Sequence, residues 1–418
     1  MPHSLLLLQL VIILATARGC GMLLRHFGQP QVIGEMAAGI VLGPIVLGAL
    51  LPDFHAQLFA KDSLPALSAL STLGLVLFMF IVGAELRAPA GVRAQLKSAG
   101  IVAVLSVLLP MGLGLAIAPW LYPELAPAGV GYWPFALFFA TAMSITAFPV
   151  LARILKDRGM TRTPLGQLAL GSAAIADVFA WILLALVVAL IGSGEGALGF
   201  AKTTLGMLVL AALVFGALRP LYAWLLRRSS IDGRPTPTML AALMIGLFAC
   251  SAATEWLHLH AVFGAFLFGA CLPRDDRLLH YLVSRIEMLA VVALLPIFFA
   301  LAGLNTTTDA FVGAGLGTLA LIVAVAVIGK VVGGTAGARL GGHGWRDSLG
   351  TGALMNARGL MELIVIKVGL DAGLIGPQLF TMLLVMAIVT TLMTGPMLAW
   401  FARHRPANAP VSVPTPNT

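Results

Sequence analysis

The sequence predicts an all-α integral membrane protein of about thirteen transmembrane helices. Three observations carry that reading: the composition, the length of the apolar runs, and the placement of lysine and arginine. Of 418 residues, 60% are hydrophobic and only 10% charged, where a soluble domain has roughly 25% charged residues. Mean hydropathy is +1.00, more apolar surface than an aqueous globule could bury. The 46 glycines and 24 prolines are scattered through apolar stretches, as helix packing and helix breaks in a membrane require. Cys20, Cys250 and Cys271 show neither metal-ligand spacing nor a paired framework and read as packing residues.

A bilayer core about 30 Å thick needs roughly 20 apolar residues per helix. Thirteen runs meet or approach that length: Leu5–Leu24, Val32–Leu51, Leu67–Leu86, Ala99–Trp120, Trp133–Leu155, Leu165–Ile191, Thr203–Leu226, Met239–Thr254, His258–Leu272, Ile286–Gly303, Ala310–Gly337, Leu349–Leu370 and Gln378–Trp400. The first lacks the basic leader of a cleavable signal and is long enough to span. The eighth and ninth are short and could form one bent helix, but the charges decide against that. With the N-terminus outside, nineteen of the 25 lysines and arginines fall in cytoplasmic loops or the tail, and only Lys61, Lys202 and Lys367 fall outside. Positive charge prefers the cytoplasmic side of short loops, and merging two spans would invert every later loop. The net charge of +8 is therefore a topology signal and gives no evidence for nucleic acid. The residues after the last span read as a disordered tail with no soluble regulatory domain behind it.

Thirteen spans divide as six, one and six. Two six-helix halves around a connector must have opposite orientation, the inverted-repeat plan of many secondary transporters. That plan asks for an interrupted fifth helix in each half. The fifth span carries Ser144-Ile145-Thr146-Ala147-Phe148-Pro149, in which Pro149 removes a backbone donor and frees a carbonyl. The twelfth carries Asn356-Ala357-Arg358-Gly359. Hydroxyls, an amide and freed backbone groups are ligands for a dehydrated cation, so Ser144, Thr146 and Asn356 are candidate ion contacts.

A charge at the bilayer centre costs about 2.5–3.5 kcal/mol even on insertion scales. Asp177, near the middle of the sixth span, is the acid in that span. Arg358 and Glu362 are spaced for an ion pair one turn apart. Lys330 lies in the eleventh span, and its long stem could reach the centre or snorkel outward. Glu35 sits in the second span, while Glu85 and Glu287 lie near cytoplasmic ends and read as solvated; His258 and His260 read as structural residues of the outer rim. Desolvation and neighbouring positive charge act on a carboxyl in opposite directions. Their balance lets proton and cation compete for one pair of oxygens at Asp177, and competition combined with alternating access gives exchange. Asp177 serving only to satisfy Lys330 or Arg358 is the structural alternative.

Several strings, in order, resemble the monovalent cation:proton antiporter superfamily, in the branch of Kef-type potassium-efflux proteins and plant cation/proton exchangers. They are QPQVIGEMAAGIVLGP at Gln29–Pro44, FMFIVGAELR at Phe78–Arg87, SITAFPVLARIL at Ser144–Leu155, HAVFGAFLFGACLPR at His260–Arg274, LLPIFFALAGLNT at Leu294–Thr306 and MNARGLMELIV at Met355–Val365. The resemblance implies a homodimer in which a core slides like an elevator past a fixed panel. It places panel helices in residues 1–97 and 238–308. Core helices fall in 98–192 and 309–403, a connector in 193–237 and the cytoplasmic tail in 404–418. Broken helices five and twelve would cross at their midpoints, and Glu35 would lie in the panel away from the ion. It further implies exchange of K+ or Na+ for protons in a bacterial inner membrane, with no cofactor and no metal beyond the transported ion. Lys330, Arg358 and Glu362 would tune charge around the site.

One departure matters. The superfamily usually carries Asn-Asp or Asp-Asp where this chain has Ala176-Asp177. Lys330 must then find Asp177 itself, water or a carbonyl. A single carboxylate carrying both ions makes exchange one-for-one and electroneutral; a lysine already neutralising Asp177 makes it weak, or moves something other than a plain cation. A gated K+ channel and a sodium-coupled carrier of an organic solute are the rival functions. An intramembrane enzyme is disfavoured because the spans carry neither a paired-acid dyad nor a histidine cluster.

Overall fold

The computed structural model describes residues 2–85, 96–161, 163–192, 197–231, 234–257, 260–273, 281 and 285–402. The expected tail, His258 and the loop arginines 87, 93, 162, 274 and 277 lie outside them. Ten helices among the described residues are long and apolar enough to cross a bilayer. A shorter apolar helix, Ala261–Cys271, follows Pro237–Trp256 as a separate element. Two further helices are interrupted: Tyr132–Ser144 resumes at Phe148–Asp157, and Trp345–Met355 resumes at Leu360–Asp371. A two-residue strand pair, Ser230–Ile231 with Arg234–Pro235, is the exception to helix among the described residues.

Burial runs opposite to that of a water-soluble globule. Leu7, Leu205 and Met288 are each more than 60% exposed, whereas Asp177, Lys330, Arg358 and Glu362 are buried. An apolar exterior around a polar centre is what a lipid solvent selects.

The helices sort into two mutually packed sets. In one, Leu64–Glu85 packs on Ala261–Cys271, and Gln31–Leu42 packs on Pro2–His26 and Leu295–Leu304. In the other, Ala314–Leu340 lies along Leu96–Leu125, with Pro164–Gly192, the broken helices and Pro377–Ala402 around them. Without a hydrophobic difference between protein and lipid, such contacts depend on close approach at small residues. A Cβ on Gly303 would stand 1.8 Å from the Gly39 carbonyl oxygen, so the two backbones touch there. Along the lysine-bearing helix, Gly329, Gly333 and Gly337 recur every fourth residue and lie against Pro110, Leu105 and Val102. That stripe brings Lys330, one residue from its first glycine, onto the backbone of Leu96–Leu125.

These contacts predict opposite effects of one substitution. Gly303→Ala forces two backbones apart and is expected to cost at least the 1–3 kcal/mol typical of overpacking. Gly317→Ala, whose Cβ would meet nothing within 4 Å, should be neutral or stabilising by about 0.5–1 kcal/mol. Thermal unfolding of the purified protein in detergent measures both; equal transitions for the two variants would contradict the packing.

Candidate ion and proton site

The site is built where the two interrupted helices meet. The Ala147 N–H donates to the Ala357 carbonyl at 3.1 Å, joining one break to the other. The first break spans residues 145–147. Pro149 is not inside it but is the second residue of the following half-helix, where a missing N–H costs little because first-turn donors have no intrahelical partner. Each break leaves a C-terminal end rich in free carbonyls and an N-terminal end rich in free N–H groups.

Both buried cations sit on the C-terminal end of Tyr132–Ser144. Arg358 donates through Nη1 to the Ala142 carbonyl at 3.2 Å and through Nη2 to that of Met143 at 2.6 Å. Lys330 Nζ donates to the Ser144 carbonyl, to the Ser106 carbonyl at 3.0 Å and to Thr146 Oγ1 at 2.6 Å. Three ammonium donors thus meet three oxygens, all buried. Both acids sit toward N-terminal ends. Glu362 lies in the first turn of Leu360–Asp371 and pairs with Arg358 Nη1 at 2.8 Å, both side chains fully buried. The Phe148 N–H, at the start of its half-helix, faces the Asp177 carboxylate without closing a hydrogen bond. All four charges therefore complement the helix dipoles.

Asp177 itself is 1% exposed, and neither carboxylate oxygen has a hydrogen-bond partner. Lys330 is within its electrostatic reach but not within ion-pair distance. A carbonyl-bound lysine answers the question that Ala176 poses: Lys330 turns to backbone and hydroxyl oxygens in place of an acid. Asn356 is fixed through Nδ2 to the Thr390 carbonyl at 3.0 Å, which leaves its Oδ1 buried and unpartnered.

Ser144 and Thr146, expected from the sequence as ion contacts, have their hydroxyls bonded within the protein. The Ser144 hydroxyl donates to the Thr141 carbonyl at 2.7 Å, and Thr146 accepts from Lys330. Both hold the lysine end of the site. Glu35 lies apart, accepting from Gln31 Nε2 at 3.1 Å with Arg18 at 3.9 Å.

Three supporting residues escaped the sequence reading. Ser106 lends its carbonyl to Lys330; Thr390 holds Asn356; Thr391 accepts from the Arg358 N–H at 2.8 Å. The Thr390-Thr391 pair, with Thr394 a turn on, is a polar patch in an apolar span and was a usable signal. Ser106 contributes backbone, which no side-chain pattern reveals.

Interrupted helices joined at their breaks, with buried charges of both signs, define a polytopic membrane protein of the crossed-helix type. The chain belongs to the sodium/hydrogen exchanger transmembrane family, whose model matches residues 11–404. It is 39% identical over 396 residues to the Na(+)/H(+) antiporter NhaS4 of Synechocystis sp., covering 94% of this chain and 96% of that protein. It is 32% identical over 407 residues to K(+)/H(+) antiporter 1 of Saccharomyces cerevisiae, covering 95% of this chain but 46% of the yeast protein. Among solved structures, the sodium proton antiporter MjNhaP1 from Methanocaldococcus jannaschii at pH 8 shares the fold with a TM-score of 0.60 at 14% identity. That match covers 96% of this chain and 97% of that one.

The ion pair makes a sharp prediction. Glu362→Gln leaves the Arg358 guanidinium buried without its counter-charge and should cost about 3–5 kcal/mol. Lys367 and Asp371 also pair, one turn apart, but are partly exposed. Asp371→Asn should cost at most about 1 kcal/mol. Comparing the two unfolding transitions checks the difference; similar losses would remove the buried pair from the site's framework.

Proposed function

We infer that the protein exchanges a monovalent cation, K+ or Na+, for protons across the membrane, with Asp177 the carboxylate that proton and cation share. One observation carries this: two carboxylate oxygens buried at the helix crossing with no donor of their own. An ionised carboxylate in that position is costly until it gains a counter-charge or a proton. Either partner removes the cost, and one excludes the other. Asn356 Oδ1 is the second oxygen offered to the cation. Ser144 and Thr146 act through Lys330, and Arg358 with Glu362 fixes the crossing. The family and the antiporter relatives support the same exchange.

Transport is one cation for one proton and electroneutral. Lys330 is held by three oxygens rather than by Asp177, so it keeps its own partners whichever ion Asp177 carries. Thirteen spans with the N-terminus outside and the C-terminus cytoplasmic accommodate the ten long helices, the short one and the two broken ones. The two packed sets of helices fit a panel and a core moving as an elevator in a homodimer of a bacterial inner membrane. Glu35 belongs to the panel on this reading.

Two measurements in proteoliposomes test it. Asp177→Asn should abolish cation-driven proton flux while leaving the unfolding transition unchanged or higher, because an uncompensated buried carboxylate is gone. Wild-type flux should ignore an imposed voltage, and the apparent KM for the cation should rise about tenfold per unit of falling pH at the acidic end, the signature of one proton displaced per ion. Flux that survives in Asp177→Asn, or that follows the voltage, would sink the shared-site mechanism.

A further inference from the structure

Away from Asp177, a cavity of about 380 Å³ opens between the two sets of helices. Three guanidinium groups line it: Arg25 in the last turn of the first helix, Arg153 midway along Phe148–Asp157, and Arg158 just past the end of that helix. Gln29 and Gln31 add amide groups, and Thr391 forms the inner wall. Arg153 is within electrostatic reach of Glu35. Among the described residues, neither Arg25 nor Arg158 has a carboxylate at ion-pair distance. Helix Gln31–Leu42 also begins here, at Pro30, with no side-chain cap on its free N–H groups.

This arrangement suits an anion. A cation entering the cavity would meet three positive side chains and the positive end of a helix dipole. Phosphate meets fork-shaped donors matched to its oxygens and first-turn N–H groups that no side chain caps. A phosphate group takes up a fraction of the cavity, so there is room for what it is esterified to. The walls come from both helix sets, which touch beside the cavity where Gln29 Nε2 donates to the Leu392 carbonyl at 3.4 Å. Thr391, on the same wall, holds the backbone of the second helix break through Arg358.

We propose that this cavity binds a phosphate-bearing ligand, either a free phosphate compound or the headgroup of an anionic phospholipid, and that the bound phosphate ties the two helix sets together and slows exchange. The binding half stands on the cavity alone; the slowing rests on the exchange function and elevator motion inferred above.

The test separates them. The purified protein in a non-ionic detergent is unfolded thermally with choline phosphate or choline chloride at matched ionic strength, and separately with added phosphatidylglycerol or phosphatidylcholine. A transition raised by roughly 2–4 °C with phosphate, absent in R25Q/R158Q but retained in R25K/R158K, identifies a free phosphate compound. The same pattern with phosphatidylglycerol alone identifies a lipid headgroup. No specific shift with either, or an equal shift in R25Q/R158Q, overturns the site. The ligand that binds is then added to proteoliposomes, where it should lower the exchange rate at least twofold in the wild type and not in R25Q/R158Q. Binding without slowing overturns the coupling and leaves the site standing. Absence of exchange in untreated wild type counts against the transport function instead.

Discussion

Four half-helix ends lie within the apolar interior of this protein, and their backbone groups must be satisfied where water cannot do it. Everything at the centre answers that demand. Arg358 and Lys330 close over the carbonyls of Ala142, Met143 and Ser144. Glu362 occupies a first turn, and Thr391 takes the amide of the second break. At this centre the buried polar atoms left without a partner are both Asp177 carboxylate oxygens, Asn356 Oδ1, Arg358 Nε and Glu362 Oε2. An arrangement that closed internal hydrogen bonds on those groups would be more stable.

The same economy explains the consequence of Ala176. An acid at that position would offer Lys330 a counter-charge. Here the lysine is held by Ser106, Ser144 and Thr146, so its ammonium serves as a cap on a helix end. A lysine bound to fixed backbone oxygens stabilises the crossing in every state that preserves those oxygens. That leaves the Asp177 carboxylate with no lysine or arginine at ion-pair distance among the described residues.

Glycine supplies the precision these distances need. In lipid, apolar side chains gain little by leaving their surroundings, so helices are held by contact and by internal polarity. The Gly329, Gly333 and Gly337 stripe sets the lysine-bearing helix against Leu96–Leu125 closely enough for Lys330 to reach the Ser106 carbonyl. The Gly39–Gly303 contact does the corresponding work in the other set. The arginine-lined cavity lies between the two sets, where such contacts give way to polar groups.

Composition and periodicity determined membrane residence, the long apolar helices and the two that break, because the bilayer imposes a length and a polarity on each segment separately. They also isolated Asp177, Lys330, Arg358 and Glu362, since a charge in an apolar run is conspicuous in one dimension. The Arg358–Glu362 pair was legible because its spacing is that of a helix turn. What only the tertiary structure decided is partnership across the chain. Lys330 could have met Asp177, and its true partners lie 184 to 224 residues away, two of them backbone carbonyls. Ser144 and Thr146 stand out by polarity, but the partners of their hydroxyls, the Thr141 carbonyl and Lys330 Nζ, depend on neighbours that sequence does not order. The cavity was invisible for the same reason: Arg25, Arg153 and Arg158 are ordinary loop charges until the fold turns them toward one space.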